Sequence, residues 1–166
     1  MPNSSLILHS RPWITDDDCH QVEEVLRSRF IGRWKKTEEL EFRIAKVTGK
    51  NTTCVGSGRA AIVLALQTLN INRVGIPTYS SDDFLDACKW ADVEPVLYDI
   101  GGRSTSVFCI HIEGQEPPEV PRGTVTIHDY AHIWPTQRLP AGDVAVFSFG
   151  PLKPITGGHG GAISGL

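Results

Sequence analysis

Three short segments of this chain set chemically useful side chains where a protein can exploit them. In Val146-Phe147-Ser148-Phe149-Gly150-Pro151-Leu152-Lys153, followed by the run Gly157-Gly158-His159-Gly160-Gly161, one lysine stands between a strand-end hydroxyl and a flexible turn. An amine becomes a nucleophile when its neighbours keep it partly unprotonated and leave it room to turn, and a loop after a buried strand supplies both. Lys153 is the first candidate for covalent chemistry; the other reading is an ordinary surface lysine beside a glycine-rich turn. In Ile127-His128-Asp129-Tyr130-Ala131-His132 a carboxylate follows directly on an apolar run. A bare carboxylate in an apolar place is costly, so Asp129 calls for a partner. That partner is a salt bridge or helix cap on one reading and a protonated heterocyclic nitrogen on another. In Gly56-Ser57-Gly58-Arg59 the serine lies between a strand-like run and a helix start, where unpaired N–H groups and the helix dipole form an anion site. A phosphate suits that turn, with Ser57 donating, Gly58 allowing close approach and Arg59 adding charge, although a plain tight turn also explains the glycines. The segment is neither a P-loop nor a dinucleotide fingerprint, because both glycine spacings are absent.

These residues need elements to hold them. Thr15 followed by Asp16, Asp17 and Asp18 predicts a helix start, a hydroxyl cap with acids at the positive dipole end, and Cys19, Val22, Val25 and Leu26 as its inward face. A second helix over 37–47 puts Leu40, Ile44 and Val47 on one side and stops at Gly49. Short apolar runs then alternate with helical segments: strands at 53–55, 74–77, 96–98, 107–110, 125–127 and 144–147, and helices at 60–66 and 82–90. Such alternation predicts right-handed crossovers and an α/β fold, a mostly parallel sheet with helices on both faces. Sheets of this kind bind ligands at the carboxyl ends of their strands, and Ser57, Gly58, Asp129 and Ser148 all fall there.

Composition narrows the function. With 166 residues the chain is read as a single domain over 1–166, and its 40% hydrophobic and 21% charged residues are those of a globular protein. A formal charge of -3 without a basic stripe argues against nucleic acid as a partner, and Arg27, Arg29, Arg33, Lys35 and Lys36 read as a solvated helix end. No apolar run is long enough to cross a membrane and no leader pattern opens the chain, so a cytoplasmic protein is expected. Cys19, Cys54, Cys88 and Cys109 lack the spacing of a zinc site or disulfide frame and are expected to be free buried thiols.

A turn for a phosphate, a carboxylate for a ring nitrogen and a lysine for an aldehyde, in that chain order, meet the requirements of a pyridoxal 5'-phosphate site. Here the sequence resembles the DegT-type (DegT/DnrJ/StrS) sugar aminotransferases of the aspartate aminotransferase fold group, fold type I. Ile7 to Ile14 is similar to the family's opening segment, and Val55-Gly56-Ser57-Gly58-Arg59-Ala60-Ala61 to its phosphate turn. Ile76-Pro77-Thr78-Tyr79-Ser80, Glu94 to Asp99, His111 to Gln115 and Ile127 to His132 follow in the family's order, and 148–161 resembles its lysine loop most closely. The resemblance implies that Lys153 holds the cofactor and later moves protons at the substrate carbon. It implies that Asp129 pairs with the ring nitrogen, that His132 lies near the phenolic oxygen, and that Ser57, Gly58 and Ser148 hold the phosphate. The implied reaction carries an amino group from an amino acid such as glutamate to a nucleotide-linked keto sugar.

The chain also departs from the family. Arg59 replaces the threonine of the phosphate turn, Ser81 occupies the position of the ring-stacking aromatic so that stacking would fall to Tyr79 or Phe84 or be absent, and His159 replaces an acid of the glycine run. The chain resembles a cofactor-binding large-domain portion lacking the small domain, which implies a homodimer or a separately encoded second half. Two other readings stay open: a truncated, non-catalytic homologue acting as a binding or regulatory partner, and an enzyme using the same cofactor for dehydration or epimerisation.

Overall fold

A computed structural model of the chain describes residues 12–99, 106–110, 124–140 and 143–165. The segments 7–11 and 111–115, which contribute to the family resemblance, lie outside the described residues, and so does the side chain of Cys109. The described residues form α1 (Asp16–Ser28), α2 (Lys35–Thr48), β1 (Thr52–Val55), α3 (Gly58–Leu69), β2 (Arg73–Pro77), α4 (Asp82–Ala91), β3 (Glu94–Tyr98), β4 (Ser106–Ile110), β5 (Val125–Asp129), β6 (Val144–Ser148) and β7 (Gly161–Ser164).

Local chemistry marks the helix ends. Thr15 caps α1 reciprocally: its N–H donates to Asp18 Oδ2 at 2.7 Å, and the Asp18 N–H donates to Thr15 Oγ1 at 3.3 Å. Ser57 and Ser81 cap α3 and α4 with their hydroxyls, and Gly49 ends α2 at a φ of 73°.

The strands form one sheet in the order β1-β7-β6-β5-β4-β2-β3. From β3 to β6 all neighbours are parallel, whereas β7 runs antiparallel to both β6 and β1. At the β1 edge the Cys54 N–H donates to Glu41 Oε1 at 2.8 Å, which satisfies a donor that would otherwise invite another strand.

Alternation along the strands divides the core. Val144 and Val146 of β6 face Ala61, Leu66, Phe84 and Ala87 of α3 and α4, together with Ile76 and Ile127. Ala145 and Phe147 face the other way, toward Ile44 of α2 and toward Tyr130, Leu139 and Phe149. Helices thus cover both faces, as the sequence alternation requires.

Three expectations change. α1 buries none of its residues, and Val22 and Leu26 are each 60% exposed, so its amphipathic spacing does not translate into an inward face here. Cys19, on the same helix, is exposed and Cys54 half-buried; Cys88 is buried, and burial pushes its thiol up to about 11. The strand β7 is an addition, a fully buried element of four residues directly after the glycine run. No helix among the described residues is long and apolar enough to cross a membrane.

Candidate active site

The position of β7 builds the site. By pairing with β1 (Val55↔Gly161) and with β6 (Ser148↔Gly161), it sets the turn after β1 against the carboxyl end of β6. Close contact there depends on two missing Cβ atoms. A Cβ on Gly58 would stand 2.7 Å from Ser148 Cβ, and one on Gly161 would stand 2.5 Å from the Ser57 carbonyl carbon and oxygen. Backbone cannot yield as a flexible side chain can. Gly161→Ala is therefore expected to cost about 1–3 kcal/mol in a urea unfolding midpoint, and an unchanged midpoint would refute the close approach.

A cavity of about 380 Å³ opens at this junction, lined by Gly58, Arg59, Tyr79, Asp83, Asp129, His132, Ser148 and Lys153 among others. Small-molecule sites run from roughly 300 to 1,000 Å³, so a compact ligand fits. One end is the start of α3, where the helix dipole is positive and the Ser148 side chain comes close against Gly58. Ser57 stands behind this end as the cap of α3, its Oγ accepting the Ala60 N–H at 3.1 Å, and is not itself part of the lining.

Asp129 closes β5 at the floor of the cavity and is 8% exposed. Its Oδ1 accepts the Ala131 N–H at 2.9 Å, and among the described residues it makes no ion pair. Burial pushes its carboxyl up to about 6; the Ala131 N–H and the charge of Lys153 pull the other way, and Asp83 adds to the rise. An acid in this state gains from a cation placed next to it.

Lys153 comes from the turn after β6. The base of that loop is stapled by Phe149 N–H to Gly160 O at 3.0 Å and Gly157 N–H to Phe149 O at 3.1 Å, and Lys153 N–H donates to Gly150 O at 3.1 Å. Its Nζ lies 3.3 Å from His132 Nε2. Behind the site, on the opposite face of the sheet, Tyr130, Phe147 and Phe149 stack in series at 5.5 and 6.5 Å between ring centroids and support the ends of β5 and β6.

The structure gives Arg59 two acidic neighbours. Its Nε donates to Asp83 Oδ1 at 3.0 Å, an Nη also bonds Asp83, and Nη1 lies 3.4 Å from Asp86 Oδ2. The guanidinium lies 5.4 Å from the centroid of Trp90. Six of the candidates named from sequence, Gly58, Arg59, Asp129, His132, Ser148 and Lys153, thus line one cavity. Asp83 is a lining residue that sequence reasoning missed, although its place in the first turn of α4, after the strand end of β2, was a usable signal.

The sequence model of the DegT/DnrJ/EryC1/StrS aminotransferase family matches residues 12–115. The chain belongs to this family. Among solved structures it is similar to Spr1654 of Streptococcus pneumoniae in its PLP form, with a TM-score of 0.78 at 22% identity, covering 95% of this chain and 52% of that one. The aminotransferase TlmJ of Streptoalloteichus hindustanus gives a TM-score of 0.76 at 21% identity over 96% of this chain and 53% of that one. Helicobacter pylori PseC, an aminotransferase involved in pseudoaminic acid biosynthesis, gives 0.75 at 18% identity over 95% and 51%. These likenesses show the aminotransferase fold, and the chain spans about half the length of the solved relatives it matches.

The cofactor that goes with membership of the DegT/DnrJ/EryC1/StrS family is pyridoxal 5'-phosphate. The residues present fit it. The cradle of Gly58 and Ser148 at the start of α3 suits a dianion, the buried Asp129 suits a ring nitrogen that carries a proton, and Lys153 is the one lysine of the cavity lining.

Proposed function

We propose that this chain is the cofactor-binding part of the large domain of a pyridoxal 5'-phosphate-dependent sugar aminotransferase. The observation that carries the reading is the meeting of Lys153, Asp129 and Ser148 with the start of α3 around one cavity of suitable size. When bound, the cofactor supplies an aldehyde that takes up amines and a ring that withdraws electrons from the neighbouring C–H bond.

The chain's own residues do the rest. Lys153 would hold the cofactor at its aldehyde end and would move a proton at the substrate carbon, and His132, 3.3 Å from its Nζ, would share that proton and orient the amine. Asp129 would keep a proton on the ring nitrogen, where its own burial would make the partnership favourable. Ser148 and the start of α3 would hold the phosphate, with Ser57 keeping the shape of that turn. Arg59 serves as a clamp between α3 and α4, because its charge is already matched by Asp83 and Asp86. Arg59→Ala is accordingly expected to leave cofactor affinity within about threefold of wild type, since exposed ion pairs of this kind contribute little. A loss well beyond that in an equilibrium titration would assign Arg59 to the phosphate.

The donor would be an amino acid such as glutamate and the acceptor a nucleotide-linked keto sugar. Surfaces that complete the substrate site would come in part from a second copy of the protein. A non-catalytic role draws on one observation, the use of Ser81 as a helix cap where the family places an aromatic. The deciding experiment is the visible spectrum of the chain with pyridoxal 5'-phosphate, followed by borohydride reduction and peptide mapping. A label on Lys153, with a glutamate-dependent spectral change, supports the enzyme. Labels scattered over exposed lysines would leave the non-catalytic reading in place.

A further inference from the structure

A flat heteroaromatic ring gains most when its broad face meets another aromatic face. Among the described residues, three Phe or Tyr side chains line the cavity: Tyr79, Phe84 and Phe147. Phe84 is 3% exposed and belongs to the core under α3 and α4, while Phe147 is 2% exposed and stacks with Tyr130 and Phe149 in the core beneath the opposite face of the sheet. Neither can present a ring face to a ligand without opening a core. Tyr79 differs on both counts, being 57% exposed and at the rim.

Its backbone is nonetheless held on both sides. Thr78 N–H donates to Tyr98 O at 3.1 Å and Thr78 Oγ1 to Asp99 Oδ1 at 2.6 Å. Ser80 N–H and Ser80 Oγ both donate to Pro77 O, at 3.1 and 2.6 Å. Four hydrogen bonds thus fix a turn whose central side chain is a large, mostly exposed ring. None of these four hydrogen bonds uses the ring itself, which stays available to a ligand in the cavity.

We propose that Tyr79 supplies the aromatic wall against which the cofactor ring packs, in place of an aromatic at position 81. The assignment rests on the cofactor reading above. Ser81 is committed to the start of α4, its Oγ accepting the Asp83 N–H at 3.3 Å, and the Arg59–Asp83 pair is neutral, so neither competes for the face of the ring.

The test is an equilibrium titration of pyridoxal 5'-phosphate, followed by visible absorption and by the induced circular dichroism of the bound chromophore, into wild type, Tyr79→Ala and Tyr79→Phe. Inorganic phosphate is then used as a competitor. Tyr79→Ala is expected to weaken cofactor binding about tenfold, the scale of a lost aromatic contact, and to reduce the induced signal. Tyr79→Phe should stay within about twofold, because the ring and not the hydroxyl makes the contact. The affinity for inorganic phosphate should not change in either variant. Equal cofactor affinity in Tyr79→Ala and wild type overturns the assignment, and so does a parallel loss of phosphate affinity, which would mean that Tyr79 acts on the shape of the pocket. A wild type that takes up no cofactor on Lys153 overturns this proposal together with the cofactor reading, and a labelled wild type matched by Tyr79→Ala overturns this one alone.

Discussion

Lys153→Ala is expected to reduce the borohydride-fixed cofactor label to the background of exposed lysines and to lower amino transfer on the order of a thousandfold, the scale for removing a group that both attaches and moves protons. The expectation follows from where the other lysines are. Lys35, Lys36, Lys46 and Lys89 are exposed, Lys50 sits before β1, and none of these lines the cavity. Lys153 stands on a loop stapled at its base, with Nζ near His132 and with Asp129 in electrostatic reach. The variant should fold normally, because the side chain is only half-buried and contributes no core packing. A label that persists in the variant and maps to one other lysine would move the covalent site and dissolve the proposed role of His132 with it.

The second large effect is on Asp129. Its carboxyl titrates at about 6 in the folded chain, against an ordinary value of 3.8. Between those values the folded state holds more protons than the unfolded one, so the chain without cofactor loses stability as pH rises from about 4 to about 6. A shift of this size corresponds to about 3 kcal/mol, and the loss runs opposite to the usual carboxylate pattern, in which acid destabilises. Asp129→Asn removes the titration while its amide oxygen can still accept the Ala131 N–H. Urea midpoints at pH 4.5 and 7.5 should therefore converge in the variant, and at the higher pH it should be the more stable protein. The same substitution should suppress proton removal at the substrate carbon, since an amide cannot hold a proton on the ring nitrogen. Stability and chemistry thus oppose each other at one residue. An unaltered pH slope in Asp129→Asn would show that the buried carboxyl is not the source of the dependence.

Much of this site was legible because strand ends are legible. Asp129 comes two residues after Ile127 and Ser148 directly after Phe147, each at the end of a short apolar run, and Lys153 follows within one turn. The pattern of short runs and helices likewise gave the parallel sheet with covered faces. What escaped depends on partners distant in sequence. Arg59 read as a free charge beside a phosphate turn, because its neutralisation by Asp83 and Asp86 arises only when α4 is laid beside α3. β7 carries four residues behind a run of glycines, too short for a period to declare itself, and its backbone pairing rather than its side chains makes it a strand. The apolar spacing of α1 promised an inward face, but spacing says only that a stripe exists, not that a described element meets it.

The strand order also constrains how the protein can be made. Among the described residues β1 has a single neighbour in the sheet, β7, and Thr52 pairs with Ser164. A growing chain therefore releases β1 and the turn that follows it from the ribosome long before β7 has been synthesised. Parallel units over β2 to β6 can assemble in the meantime, while the first strand waits as an unpaired edge. Anion binding should accordingly arrive with β7 and not with the turn proposed to contact the anion. Chaperone capture should fall on the window between the two.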